Sequence, residues 1–436
     1  MAFHWVLALA LVGIFFFGLY MTGLPLSPAR LKYFNWHKWA GMTILLLSAA
    51  RLLWRATHRP PALPAAMLRA MPGWQQAALT LPDGVTPGRL AGAGGRLWLT
   101  DADKPATLYA SADGTTWQTY RLTKHGLPRD VSGSGFTGEC RFPLVASERG
   151  GAVTFVYPES VIDQSANGLI SRQWFVTIAG DDVRVRSGAQ NGFERTPPGA
   201  RGKSFRVMCV TDMTTAGDRL VAVGHAQWFP PVTFDTKDGF AAVGDEDGRW
   251  TPVSAPKAPY RVKGGTLPQV VVTAGGGLVA VGRSYAGYPL RAWTSADGTS
   301  WTGTDVPAAA DAGIPTITGA VADERGIVVV GREEGASGAV PVVWFSVDGT
   351  SWERTVLPPG LGQADSVVSD AAGFTVYGLA QGALGAWTSP DGRAWTQAPA
   401  PAVAIDPATV VTVGDGSVAL TGTGLATSGL DWPEAP

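Results

Sequence analysis

The pattern S-x-D-G-x-x-W occurs four times, at 111–117, 295–301, 346–352 and 389–395, with degenerate copies DEDGRW at 245–250 and SGLDW at 428–432. An Asp-Gly pair between strand-like runs is a hairpin signal, because glycine accepts positive φ without steric cost. The closing tryptophans Trp250, Trp301, Trp352, Trp395 and Trp432 follow one another at 51, 51, 43 and 37 residues. The 133 residues from Trp117 to Trp250 leave room for one more unit, with its turn at Gly180-Asp181-Asp182. Seven units result. Each has the same grammar, as in LPQVVVTAGGGLVAVG followed by LRAWTSADGTSWTGTDV: an apolar strand, a glycine turn, a Val-rich strand, a loop, and two strands joined at Asp-Gly. Four strands repeated seven times at this period predict a β-propeller of seven four-stranded blades over 82–436. Asp113, Asp297, Asp348 and Asp391 then read as structural turn residues, since equivalent copies on every blade do not all carry chemistry.

Composition agrees with a turn-rich β protein. The chain has 436 residues, 16% of them charged, with 56 Gly and 32 Pro. A net charge of −1 argues against nucleic-acid binding, which requires a basic stripe or domain. Two cysteines exclude a disulfide scaffold and a four-Cys zinc site. Cys140 and Cys209 occupy similar places in the second and third units, where a bridge and two buried free thiols are both open readings.

The first 60 residues are of another kind. Residues 5–24 carry no charge, enough to cross roughly 30 Å of hydrocarbon. A second apolar stretch, 36–54, has Lys38 and Arg51 near its ends, where long cationic side chains reach the interface. The expectation is a mixed architecture: a two-helix transmembrane hairpin (1–60), a linker (61–81) and the propeller. Membrane lipid is its first partner. The positive residues flanking the two stretches lean slightly toward cytoplasmic termini, and the side of the membrane stays open.

His4 and His37 stand in these stretches, and an intramembrane histidine is a functional hypothesis by default. The strings HW (4–5), GLYMTGLPLSP (18–28), WHKWAGMTILLL (36–47), RLLWRATHRPPALP (51–64) and MPGWQQAA (71–78) resemble the N-terminal half of bacterial cytochrome b561. That resemblance implies residence in the bacterial inner membrane as a multi-pass protein, binding of haem b, electron transfer from quinol, and His4 and His37 as ligands to haem iron. The third and fourth helices of that family are missing. The two histidines begin helices running in opposite directions, so their levels differ by roughly 27–30 Å and one haem cannot take both. Each needs a partner from another protein or from a parallel homodimer. The repeated turn resembles the Asp-box (BNR) turn of sialidase-like propellers, with Asp and Gly adjacent rather than separated.

Three functions compete. The first is a membrane-anchored propeller serving as a binding or interaction module for a polar ligand or a protein, without enzymatic activity. The second is haem b electron transfer. The third is a sialidase-like glycoside hydrolase, for which no arginine motif is convincing, and Tyr157 and Glu159 have no evident acid beside them. The sequence identifies no catalytic residue. For the first reading, two long loops, 157–174 and 225–240, mark the face formed by the loops between second and third strands. The residue after each Val-rich strand's glycine is polar in three units, giving His225, Arg283 and Arg332, with Trp228, Tyr285 and Glu333 near them. These six are the ligand-face candidates.

Overall fold

The computed structural model describes residues 17, 20, 32–43, 74–76, 84–129, 131, 144–163, 168–194, 204–229, 237–253, 266–284, 290–309, 313, 315–335, 338–358, 362–401, 403–422 and 424–430. The chain divides into two compact units, Met1–Ala70 and Met71–Pro436.

In the first unit, residues 32–43 are helical. Tyr33, His37 and Gly41, spaced four apart, form its half-buried stripe, and the remaining positions are exposed. Phe17 closes on this stripe, edge to face with Tyr33 at 5.9 Å and stacked on His37 at 6.3 Å. Among the described residues no helix is long and apolar enough to cross a membrane. Most of 5–24 and of 36–54, and His4 with them, lies outside those residues.

The second unit is a ring of seven four-stranded antiparallel sheets. Blades 1 to 6 take their four strands in sequence, beginning with the inner strands Pro87–Ala93, Val145–Arg149, Ser204–Ala216, Thr266–Ala274, Thr316–Asp323 and Gly362–Asp370. Blade 7 is built differently. Its inner three strands are Val411–Val413, Gly416–Leu420 and Leu425–Ser428, and its outer strand is Trp74–Gln76 from the other end of the chain. Trp74 pairs with Ser428 and packs edge to face on Tyr377 of blade 6 at 5.5 Å. The stretch 61–81, expected to be a linker, therefore contains the strand that closes the ring.

Seven apolar clusters hold the ring together, one in each seam between blades. The last joins Leu97 and Leu99 of blade 1 to Val413 and Val418 of blade 7. Period-two alternation sends successive side chains of each strand to opposite seams. Trp293, Trp344 and Trp387, on the third strands of blades 4 to 6, are fully buried, and the Trp344 and Trp387 indoles donate to the carbonyls of Pro307 and Pro358.

The Asp-Gly turns have the structural role read from the sequence. In blade 5, Ser346 Oγ accepts from the Gly349 N–H at 2.8 Å, and Asp348 Oδ1 accepts from the N–H groups of Thr350 and Ser351 at 2.8 and 2.9 Å. Trp352 donates its indole N–H to the Gly349 carbonyl at 3.0 Å. Gly349 has φ +75°, and a Cβ there would meet the Val279 side chain of blade 4 at 2.6 Å. Glycine thus serves both the turn and the seam. Hydrogen bonds hold all four aspartates below the usual carboxylate range: first the Thr116 N–H for Asp113, the Thr299 and Thr350 hydroxyls for Asp297 and Asp348, and the Arg393 N–H for Asp391.

Candidate ligand face of the propeller

Loops between second and third strands share one face with the connections between blades; we call this the upper face. The two segments expected to be long loops here are extended hairpins. In blade 2, Ala152–Asp163 pairs with Gly168–Ala179, and in blade 3, Arg219–Phe229 pairs with Lys237–Gly244. Blade 5 carries a third, Gly326–Gly335 with Gly338–Ser346.

Of the six candidates, His225, Arg283, Arg332 and Glu333 have described side chains. His225 is 5% exposed, inside blade 3 opposite Cys209. Arg283 is half-buried opposite Leu267. Trp228 lies opposite Phe205 in the same sheet as His225. Tyr285 falls outside the described residues. Glu333 is 2% exposed, in the seam toward blade 4, and Arg354 of the outer strand grips both its carboxylate oxygens. It is a structural ion pair and not a group offered to a ligand. Arg332, one residue earlier, faces the other way. Its guanidinium donates to Gln363 Oε1 at 2.9 Å and lies 3.4 Å from Glu334. Gln363 in turn donates to both oxygens of Asp365, at 3.0 and 3.2 Å.

Asp365 belongs to a feature that the sequence does not display. The inner strands of five blades slip register near their upper ends, between Pro87 and Leu90, Val210 and Asp212, Pro268 and Val270, Ile317 and Gly319, and Ala364 and Ser366. Each bulge releases a residue from the ladder, as bulges beside binding sites do. The residues released are Arg89 with Gly88, Thr211, Gln269, Thr318 and Asp365. The threonines stitch neighbouring blades together: Thr211 Oγ1 lies 3.1 Å from the Val223 carbonyl and 3.0 Å from that of Pro268, and Thr318 repeats this with Val330 and Ala364 at 3.2 and 2.7 Å. Blades 1, 4 and 6 carry Arg89, Gln269 and Asp365 at the corresponding bulges. Gln269 Oε1 is buried without a hydrogen-bond partner. Burial pushes the Asp365 carboxyl up and the Asp406 charge adds to this, against the Gln363 hydrogen bond and the Arg332 charge.

Asp212, next to the blade 3 bulge, accepts from the N–H groups of Met213 and, across the seam, Val271, both at 2.8 Å. Burial pushes its carboxyl up to about 7 against these two bonds. A carboxyl raised on folding contributes stability that is fully present below its unfolded value near 4 and lost as pH rises through about 7. The melting temperature is expected to fall from pH 5 to pH 8, and the Asp212→Asn protein to show a flatter profile over that window, measured by differential scanning fluorimetry. An unchanged slope would exclude Asp212 as its source.

Cys209 is disulfide-bonded and 1% exposed, and the chain has one other cysteine, Cys140. No group of His, Cys, Asp and Glu among the described residues is arranged to hold a metal ion.

Comparison with known proteins divides as the sequence does. The family model for prokaryotic cytochrome b561 matches residues 1–95. No curated protein matches the chain. Among solved structures, the chain is similar to a Trypanosoma rangeli sialidase at 14% identity and a TM-score of 0.42, over 65% of this chain and 53% of the sialidase, about half its length. It is similar to a protein of unknown function from Dyadobacter fermentans at 11% identity and a TM-score of 0.39, over 65% and 92% of the two chains. For the Bombyx mori GH32 β-fructofuranosidase the identity is 10% and the TM-score 0.35, over 83% and 91%. The N-terminal segment is thus cytochrome b561-like and the remainder is a seven-bladed β-propeller.

Proposed function

We propose that this chain is a membrane-tethered binding module whose propeller takes a polar ligand on its upper face. One observation carries the reading: bulges lift Arg89, Gln269 and Asp365 out of three inner strands at one level, where the blades stop being alike. Arg332, Gln363 and Asp365 supply donors and acceptors there, and buried polar groups with unspent hydrogen-bonding capacity favour a ligand that completes them. The tether rests on the cytochrome b561 match and on the exposure of Trp36, Trp39 and Met42 along the described helix. The Cys209 disulfide supports an oxidising compartment, and so a propeller outside the cytoplasm, against the thin charge bias. The full chain, expressed in bacterial membranes, is expected to resist carbonate extraction and to retain members of an array of polar small molecules, with retention lost in Asp365→Ala. Equal retention by wild type and Asp365→Ala at every array position would reject the reading.

A second reading is favoured by His37, whose Nδ1 is buried without a partner on the stripe facing Phe17. The imidazole would serve as a ligand to haem b iron, a group that would supply one-electron chemistry. His4, the other histidine of the resemblance, lies outside the described residues. We therefore derive no electron-transfer step. A Soret band in protein made with haem supply, absent in His37→Ala, is the expected sign of this reading, and a flat spectrum at 400–430 nm would dismiss it.

A further inference from the structure

We infer that the top of the seam between blades 1 and 2 is an oxyanion site formed by Arg89 and Tyr157, which take a carboxylate or phosphate group of a ligand. The inference rests on the upper face being the binding face and names the chemistry at one point of it.

Tyr157 stands where four blades carry glycine, and blade 1 has Asp101 at the same position. The glycines, on the second strands of blades 3 to 6, are Gly224, Gly282, Gly331 and Gly378. The reason is steric: a Cβ at Gly224, Gly331 or Gly378 would run into an inner-strand carbonyl, of Cys209, Thr316 or Gln363. In blade 2 the described ladder of the inner strand runs from Arg149 with Ala152 to Val145 with Val156, one step short of Tyr157. A side chain fits there, and it is a tyrosine. It faces blade 1 on the same side of the strand as Phe155, in the cluster with Trp98.

Tyr157 is 4% exposed and its hydroxyl has no hydrogen-bond partner. A buried phenol normally finds one, so the vacant bond is a directed feature. Burial pushes its acidity down, so it stays a donor. The register sets Arg89, at the blade 1 bulge, at the level of Tyr157 beside the same seam, and burial works against the arginine's charge. Among the described residues no carboxylate pairs with Arg89. A guanidinium that can only donate and a hydroxyl whose proton is unclaimed, both partly or wholly stripped of water, are complementary to an anion that accepts several hydrogen bonds.

The test uses the full chain in detergent with sodium phosphate and sodium acetate, against sodium chloride at matched ionic strength. Wild type is expected to show a rise in melting temperature and a titration heat with at least one oxyanion; phosphate alone identifies a phosphate-bearing ligand, and acetate a carboxylate. Arg89→Gln is expected to weaken the response by about tenfold or more. Tyr157→Phe removes the unpaired hydroxyl, so it is expected to melt no lower than wild type without anion and still to lose the response. No response above chloride in wild type, or a response unaltered in both variants, would overturn the site. Array binding that depends on Asp365 while phosphate and acetate give nothing would refute this site alone and leave the wider reading standing.

Discussion

Glu333→Ala is expected to lower the free energy of unfolding by about 3–5 kcal/mol, the cost of removing one partner from a buried ion pair. The Glu333 side chain is 2% exposed and the Arg354 side chain 22%, so water screens this pair little. Arg354 Nε lies 3.1 Å from each carboxylate oxygen, and a second guanidinium nitrogen closes on Oε2. Loss of the carboxylate strands a guanidinium between the outer strand of blade 5 and the seam with blade 4. The reverse variant, Arg354→Ala, strands the carboxylate and is expected to cost as much. Replacing both by methionine is expected to restore most of the stability, because the pair's attraction largely repays its own desolvation. Urea titrations of the four proteins, followed by tryptophan fluorescence, give the comparison. If Glu333→Ala unfolds at the wild-type midpoint, the ion pair contributes nothing and Glu333 returns to the list of available ligand groups.

The neighbouring Arg332 shows how far a sequence reading reaches on such a strand. The run Val328-Val329-Val330-Gly331 announces a buried strand, and a polar residue after its glycine is visible in three units. Which seam each residue faces depends on the pleat, and a shift of one residue reverses it. Arg332 and Glu333 read as equal candidates in the sequence, yet one meets Gln363 of blade 6 and the other is locked inside blade 5. The repeated turns were legible because Ser, Asp, Gly and Trp each perform a local task within seven residues. The inner-strand bulges were not, since one extra residue in a stretch such as Leu267-Pro268-Gln269-Val270 leaves no local mark. Nor was ring closure: Trp74-Gln75-Gln76 is three residues long, and its partner Ala426–Ser428 lies some 350 residues away. Only tertiary pairing makes it a strand. Tyr157 is named in the sequence beside Glu159, and its distinct position shows only when the units are aligned on the glycine that follows the Val-rich strand.

The closing strand also bears on how the two parts of the chain are joined. The cytochrome b561 match ends at residue 95, inside blade 1 and beyond the strand that completes blade 7. The boundary of similarity therefore falls within the ring, and the ring depends on residues upstream of it. Trp74 is 6% exposed and fills the seam between blades 6 and 7.

Removal of the disulfide is the second large effect. Cys209→Ser, or full reduction of the wild type, is expected to destabilise the propeller by about 4 kcal/mol, the loop-closure value for a bridge spanning about 70 residues between Cys140 and Cys209. The bridged interval contains all four strands of blade 2, with Tyr157 among them, and ends on the inner strand of blade 3. Reduction is then expected to loosen blade 2 before the others, raising hydrogen exchange first in Ala152–Asp163 and Gly168–Ala179 and leaving the Val-rich strand of blade 5 protected. The same bond bears on the proposed compartment, because glutathione and thioredoxin would keep it open in the cytoplasm. Membranes prepared with a thiol-blocking reagent and run without reductant are expected to hold the oxidised form, seen as a mobility shift on reduction that Cys209→Ser lacks. Two blocked thiols in freshly lysed cells would place the propeller in the cytoplasm and remove the basis for both the stability loss and its location in blade 2.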